Sequence, residues 1–181
     1  MTRSLAYCGL VGLLLFCGCG KAAKEGGAGG GTSATNSGEW KTFDPEQGKF
    51  SVLMPGTPEE ARVKGGVTGK QWSAQADGLT YTIHYEVLNK SPSAEEAERL
   101  IDNEVDVLPF ALNATKVGDD PKLVGGQSGR ELAFELKDKT RLRLRICVAG
   151  GRMYSLEATG TKELVNSINA NTFLDSLKLA P

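Results

Sequence analysis

The sequence predicts an α+β fold, an antiparallel β-sheet with helices packed on it. Three observations point there. Short alternating apolar runs are joined by the tight-turn dipeptides Asp77-Gly78 and Gly150-Gly151, which read as hairpins. Two stretches, one opening at Ser93 and one following Thr161, carry apolar residues at helical spacing instead. The order of strands, helix, strands, helix lacks the regular alternation of a parallel βαβ protein.

Trp40-Lys41-Thr42-Phe43 reads as a short strand closed by Asp44-Pro45, and Phe50 to Met54 as a second closed by Pro55-Gly56. Lys70 to Ala76 and Leu79 to Leu88 flank Asp77-Gly78; in the second of them Tyr81, Ile83, Tyr85 and Val87 share a face. Ser93 and Glu96 form a capping box, in which hydroxyl and carboxylate each satisfy a free amide of the first turn. Ala97, Leu100, Ile101, Val105 and Leu108 then recur with helical period, and Pro109 marks the end or a kink.

Arg130 to Leu136, Thr140 to Val148 and Arg152 to Thr159 read as three strands. In the middle one Leu142, Leu144, Ile146 and Val148 point one way, and Arg141, Arg143, Arg145 and Cys147 the other. Leu132, Phe134 and Leu136 must meet the same core, so Glu131 and Glu135 face the arginines. Directly opposed residues of an antiparallel pair share a face. The turn at Lys137-Asp138-Lys139 therefore spans an odd number of residues, and Arg141 or Arg143 lies opposite Glu135. A final helix follows Thr161, its expected N-cap, through Leu164, Ile168 and Phe173.

Ahead of this domain the chain opens Met1-Thr2-Arg3, and an apolar run from Leu5 to Phe16 follows. That is the length of a secretory signal core, and shorter than the roughly 20 residues needed to span a bilayer. The run ends Leu15-Phe16-Cys17-Gly18-Cys19-Gly20, which resembles the bacterial lipobox, with Phe16 where that signal usually places Leu. The resemblance implies cleavage before Cys19 and acylation there; the alternative is an ordinary cleaved signal and a soluble secreted protein. Cys8 and Cys17 then leave with the signal, Cys19 becomes a thioether, and Cys147 remains alone.

From Gly20 to Gly38, seven of 19 residues are Gly and none is aromatic or large aliphatic. Such a segment has too little apolar surface to order itself, and as a coil it spans about 25 Å. The expected organisation is thus 1–18 signal peptide, 19–38 lipidated Cys and flexible linker, and 39–181 a single globular domain.

Four stretches sit together in a familiar way. They are Phe50-Ser51-Val52-Leu53-Met54-Pro55, Gly129-Arg130-Glu131 before an alternating strand, Gly150-Gly151-Arg152-Met153-Tyr154, and the closing Phe173-Leu174-Asp175-Ser176-Leu177. They resemble small exported bacterial proteins of the PsbP-like fold, lipoproteins of the DcrB and LpqN kind among them. The resemblance covers roughly residues 40 to 180. It implies an α/β/α sandwich around an antiparallel sheet, brings no catalytic residue, and suggests a binding or assembly module.

The chemistry read from the residues themselves is sparse. Charge is balanced, 21 basic against 22 acidic side chains, which speaks against a nucleic-acid binder. Gly126-Gln127-Ser128-Gly129-Arg130 approaches the nucleophile elbow, but Arg130 replaces the last Gly and a strand follows where a helix is required, so the stretch reads as a Gly-rich turn. Gly65-Gly66-Val67-Thr68-Gly69-Lys70-Gln71 approaches a P-loop, but its glycines are too close and Gln71 stands in the place of Ser or Thr. One histidine, His84, and one free thiol do not make a zinc site. Asp102, Glu104 and Asp106 fall within a helix and point apart, unlike a calcium loop.

The distinctive charged feature is the ridge of Arg141, Arg143 and Arg145, read either as an anion- or acidic-partner site or as a sheet face paired with Glu131 and Glu135. The expectation is therefore a protein of the cell envelope, held to the lipid bilayer through acylated Cys19. It is a non-catalytic binding or assembly module for an envelope protein partner, with no cofactor. The alternatives are a carrier of a small apolar or anionic ligand, and an enzyme of unrecognised type.

Overall fold

The computed structural model describes residues 38–61 and 68–180. The expected signal peptide, Cys19 and nearly all of the expected linker lie outside the described residues, as does part of the P-loop-like stretch.

Strands β1 (Trp40–Phe43), β2 (Phe50–Pro55) and β10 (Lys178–Leu179) form a small antiparallel sheet in the order β1-β2-β10. The large sheet is built from β3 (Glu59–Ala61), β4 (Gly69–Ala76), β5 (Leu79–Val87), β6 (Thr115–Val124), β7 (Gln127–Glu135), β8 (Arg141–Ala149) and β9 (Arg152–Gly160). It is antiparallel throughout, in the order β3-β4-β5-β9-β8-β7-β6. Helix α1 (Ala94–Ala111) covers one face. The small sheet, a 3-10 turn at Leu164–Asn166 and helix α2 (Ile168–Leu174) cover the other. The expected α+β architecture with an antiparallel sheet between two layers is what forms.

Two hydrophobic clusters follow from strand parity. Ile101, Val105 and Leu108 of α1 pack on Leu132, Phe134, Leu142, Leu144 and Ile146. On the opposite face Tyr81, Ile83 and Tyr85 of β5 meet Phe50, Met54, Trp72 and Phe173. Aromatic edges fill this second cluster: Trp40 and Phe173 each stand 5.3 Å from the ring of Tyr81, in T-shaped geometry.

The turns form as their chemistry requires. Asp77 and Gly78 take φ of 53° and 76°, the left-handed pair of a type I′ hairpin. Five residues separate Glu135 from Arg141, with Lys139 at φ 70°. That odd count places Glu135 opposite Arg141 and Glu131 opposite Arg145.

The capping box is present: Ser93 Oγ accepts from the Glu96 amide at 3.2 Å, and the Glu96 carboxylate accepts from the Ser93 amide at 2.9 Å. Ser93→Ala is expected to lower stability by about 1 kcal/mol, read as a thermal midpoint a few degrees lower with the helical circular-dichroism signal of the native state retained. Pro109 neither ends nor breaks α1, which continues to Ala111. In the last turn its missing N–H costs a single hydrogen bond.

Three expectations are corrected. The helix after Thr161 is not one piece: the 3-10 turn at Leu164–Asn166 is followed by a break, and α2 starts afresh with Ser167 as its N-cap, its Oγ accepting from Ala170 at 3.3 Å. The phase of the stripe is lost at the break, so Ile168 is 80% exposed. Second, β3, β6 and β10 form where no strand is legible. Third, Gln127-Ser128-Gly129-Arg130 lies on β7, and the turn is Gly125-Gly126. Ser128 is an exposed strand residue. Gly129 is where a strand runs too close for a side chain, since a Cβ there would lie 2.2 Å from the Ile146 carbonyl oxygen.

Candidate functional site

Two polar constellations stand out, one on each face of the large sheet. On the small-sheet face, β8 and β7 present Arg141, Arg143, Arg145, Glu131 and Glu135, as strand parity requires. All three guanidiniums are engaged. Arg141 Nη2 meets Glu135 Oε2 at 2.6 Å. Arg143 donates to Glu131 Oε1 at 2.7 Å, and to the Val165 carbonyl and Asn171 Oδ1 at 2.9 Å each. Arg145 donates to Glu131 Oε2 at 2.6 Å and to Asp175 Oδ1 at 2.5 Å. Arg145 is 3% exposed.

The network ties the 3-10 turn and the C-terminal end of α2 to the sheet. It explains how a charged strand face is covered: the covering layer brings its own carbonyl, amide and carboxylate oxygens. Burial pushes the Glu131 carboxyl up, and hydrogen bonds from Arg145 and Arg143 outweigh it, holding the group below the usual carboxylate range. Arg141 is the most open of the three, beside Lys139, which also pairs with Glu135 at 3.2 Å. Cys147, the next residue on this face, is buried, and burial pushes its thiol up to about 12, so it is inert at neutral pH.

The second constellation, on the α1 face, is not apparent from the sequence. α1 lies over β7 and β8, and beyond it the floor turns polar. The β5–β9 register sets His84 opposite Ser155 and Thr82 opposite Glu157. On β4, Gln71 lies opposite His84. His84 is 4% and Ser155 2% exposed, yet among the described residues neither His84 Nε2 nor Ser155 Oγ has a hydrogen-bond partner.

Burial pushes the His84 pKa down to about 4, so the ring is neutral across physiological pH. Glu104 of α1 is pushed up to about 7 by burial and by the nearby carboxylate of Glu86. Glu157 is raised to about 7 and Glu86 is raised as well, both by burial. The arrangement is a polar patch of the sheet that holds a neutral imidazole and a hydroxyl, bordered by three carboxylates.

Asp102, Glu104 and Asp106 diverge as helical spacing dictates. Asp102 reaches Arg130 at 3.4 Å, Glu104 lies near enough to Glu86 to feel its charge, and Asp106 is exposed. No group of three metal-ligating side chains converges among the described residues. A groove of about 560 Å³ lies where α1 ends, between Pro109 and Phe110 on one side and Leu136, Lys137 and Lys139 on the other. Phe110 at its edge is 85% exposed. No described helix is long and apolar enough to cross a membrane.

No family model and no curated protein matches the sequence. Among solved structures the chain is similar to the cyanobacterial PsbP of Synechocystis sp. PCC 6803, with 12% identity and a TM-score of 0.58 over 85% of this chain and 98% of that one. It also matches LpqN of Mycobacterium tuberculosis, described as involved in cell envelope biogenesis (10% identity, 79% of each chain, TM-score 0.42). A protein of unknown function from Pseudomonas aeruginosa matches at 8% identity over 71% of this chain and 87% of that one, with a TM-score of 0.42. The first likeness carries the conclusion on architecture, and the fold of this chain is PsbP-like.

Proposed function

We propose that the chain is an exported lipoprotein of the cell envelope, held to a bilayer by acyl chains on Cys19, whose domain serves as a non-catalytic binding or assembly module. The observation that carries this is the apolar run from Leu5 to Phe16 ending in Gly18-Cys19. Two or more acyl chains give stable anchoring where one gives marginal binding. The Gly-rich segment up to Gly38 then leaves the domain, residues 39–181, free to swing beside the membrane. The envelope partner, in this reading, meets the arginine ridge at its open end. Arg143 and Arg145 are held within the fold, so Arg141, with Lys139 beside it, is the cation within reach.

Cys19→Ala is expected to abolish incorporation of radiolabelled palmitate and to move the protein from the membrane to the soluble envelope fraction. Absence of label in the wild type would overturn the anchoring claim. Crosslinking in the native envelope tests the partner claim. A crosslinked protein is expected that Arg141→Glu loses while the domain stays folded; an identical crosslink in both excludes Arg141 as the contact.

A second reading, a carrier of a small apolar or anionic ligand, is favoured by the groove beside Phe110. Its volume suits a small molecule, and Lys137 and Lys139 stand at it. Native mass spectrometry of the purified protein decides this: a bare mass speaks against it.

A further inference from the structure

We infer that the polar patch where strands β5 and β9 run beside α1 is a binding site for a small organic cation, an aliphatic primary ammonium. This deepens the binding-module reading by naming a ligand class, and it holds whether or not Cys19 is acylated.

The geometry comes from three elements. β5 contributes Thr82, His84 and Glu86 to the α1 side of the sheet, because Tyr81, Ile83 and Tyr85 take the other side. β9 contributes Ser155 and Glu157, one opposite His84 and one opposite Thr82. Directly opposed residues hold their Cβ atoms about 5 Å apart, and next neighbours along a strand about 7 Å. His84, Ser155, Glu86 and Glu157 therefore border one patch. α1 supplies Glu104, close enough to Glu86 for the two carboxylates to repel each other.

Among the described residues, exposed acidic side chains such as Glu46, Glu59 and Asp106 are solvated without an ion pair, so the telling comparison is among the half-buried carboxylates. Glu131, Glu135, Asp119 and Glu96 all have arginine or lysine partners. Among the described residues, Glu86, Glu104 and Glu157 have no ion-pair partner. Beneath them lie two nine-tenths-buried polar atoms, His84 Nε2 and Ser155 Oγ, with no hydrogen-bond partner either. A buried polar group left unpaired is costly, and native folds rarely keep two together without use.

The chemistry selects the ligand class. An anion would face three carboxylates. A divalent metal needs a converging ligand set, and none is present among the described residues. A primary ammonium offers one positive charge for the carboxylates and three N–H donors. The lone pair of a neutral imidazole and the Ser155 oxygen both accept such donors. Along α1, Leu100 and Val107 stand four residues before and three after Glu104, so aliphatic side chains flank that carboxylate and offer contact to an alkyl tail.

His84 is the sole histidine of the chain, so its imidazole resonances report on the patch without ambiguity. The experiment titrates full-length, detergent-solubilised protein at pH 8 with n-butylammonium, and in parallel with 1-butanol and with butyrate, following those resonances by NMR. A saturable shift is expected with butylammonium alone. Glu104→Gln and Glu157→Gln, which keep shape and remove charge, are each expected to weaken it at least tenfold while leaving the fold intact by circular dichroism.

The inference is overturned if butylammonium gives no saturable shift, if butanol gives an equal one, or if both Gln variants bind as the wild type does. A crosslinked partner at Arg141 stands or falls separately, so failure of the cation site and failure of the binding-module reading are distinguishable.

Discussion

Arg145→Leu is expected to destabilise the domain by about 3 kcal/mol, the lower end of what removing one partner from a buried ion pair costs. The reason lies in what the substitution leaves behind. Glu131, half-buried, keeps the bond from Arg143 but loses the 2.6 Å bond from Arg145 Nε. Asp175 loses a 2.5 Å partner, but it is 61% exposed and water replaces much of that interaction. Set against a typical total of roughly 5–15 kcal/mol for a domain, the loss is large.

Arg141→Leu removes a pair at the more open end of the same ridge and is expected to cost about 1 kcal/mol or less. Urea midpoints of the two variants check the contrast. Equal midpoints would mean that position along the ridge does not matter and that the network is not what holds α2 to the sheet. Arg145→Leu combined with Glu131→Gln should recover part of the loss, because the orphaned charge is then gone.

That ridge shows how far the fold is legible in the residues alone. Alternation along Arg141–Ala149 sorts core from charge, and the parity of the turn at Lys137–Lys139 sets Glu135 against Arg141 or Arg143, of which the folded chain takes Arg141. What lies above the ridge is not legible. Asn171, Asp175 and the Val165 carbonyl arrive from a segment whose helix is interrupted, and a period of 3.6 counted from Thr161 runs through the break and misplaces Ile168.

β6 escapes notice for another reason. Its sequence, TKVGDDPKLV, has Gly118, Pro121 and no alternation, and it is an edge strand with a register shift between Lys116 and Gly118. Those features blunt an exposed edge against further pairing, and they erase the strand pattern too. β3 and β10, at three and two residues, are too short to carry a period. The polar patch is the clearest case. His84 falls on the face of its strand opposite Tyr81, Ile83 and Tyr85, and nothing local states that burial will close over that part of the face.

The same patch sets the pH dependence. Glu104 and Glu157 hold their protons up to about pH 7 in the folded chain, above the ordinary value of 4.5. Stability tied to those protons is fully present below about 4.5 and lost as pH rises through 7. His84 acts in the opposite sense. Its folded value of about 4 lies below the ordinary 6.5, so its contribution is intact above 6.5 and lost as pH falls toward 4.

Two carboxylates outweigh one imidazole. Discounted for solvent screening of half-buried groups, the net expectation is a fall on the order of 2–3 kcal/mol between pH 5 and pH 8. Urea midpoints at pH 5, 6.5 and 8 measure it. The double variant Glu104→Gln, Glu157→Gln removes the alkaline loss and leaves the histidine limb, so its stability should rise from pH 5 to pH 6.5, the reverse of the wild-type slope. A wild type more stable at pH 8 than at pH 5 would mean that these carboxylates are solvated or paired in the folded chain. The patch would then hold no unmet negative charge for a cation to answer.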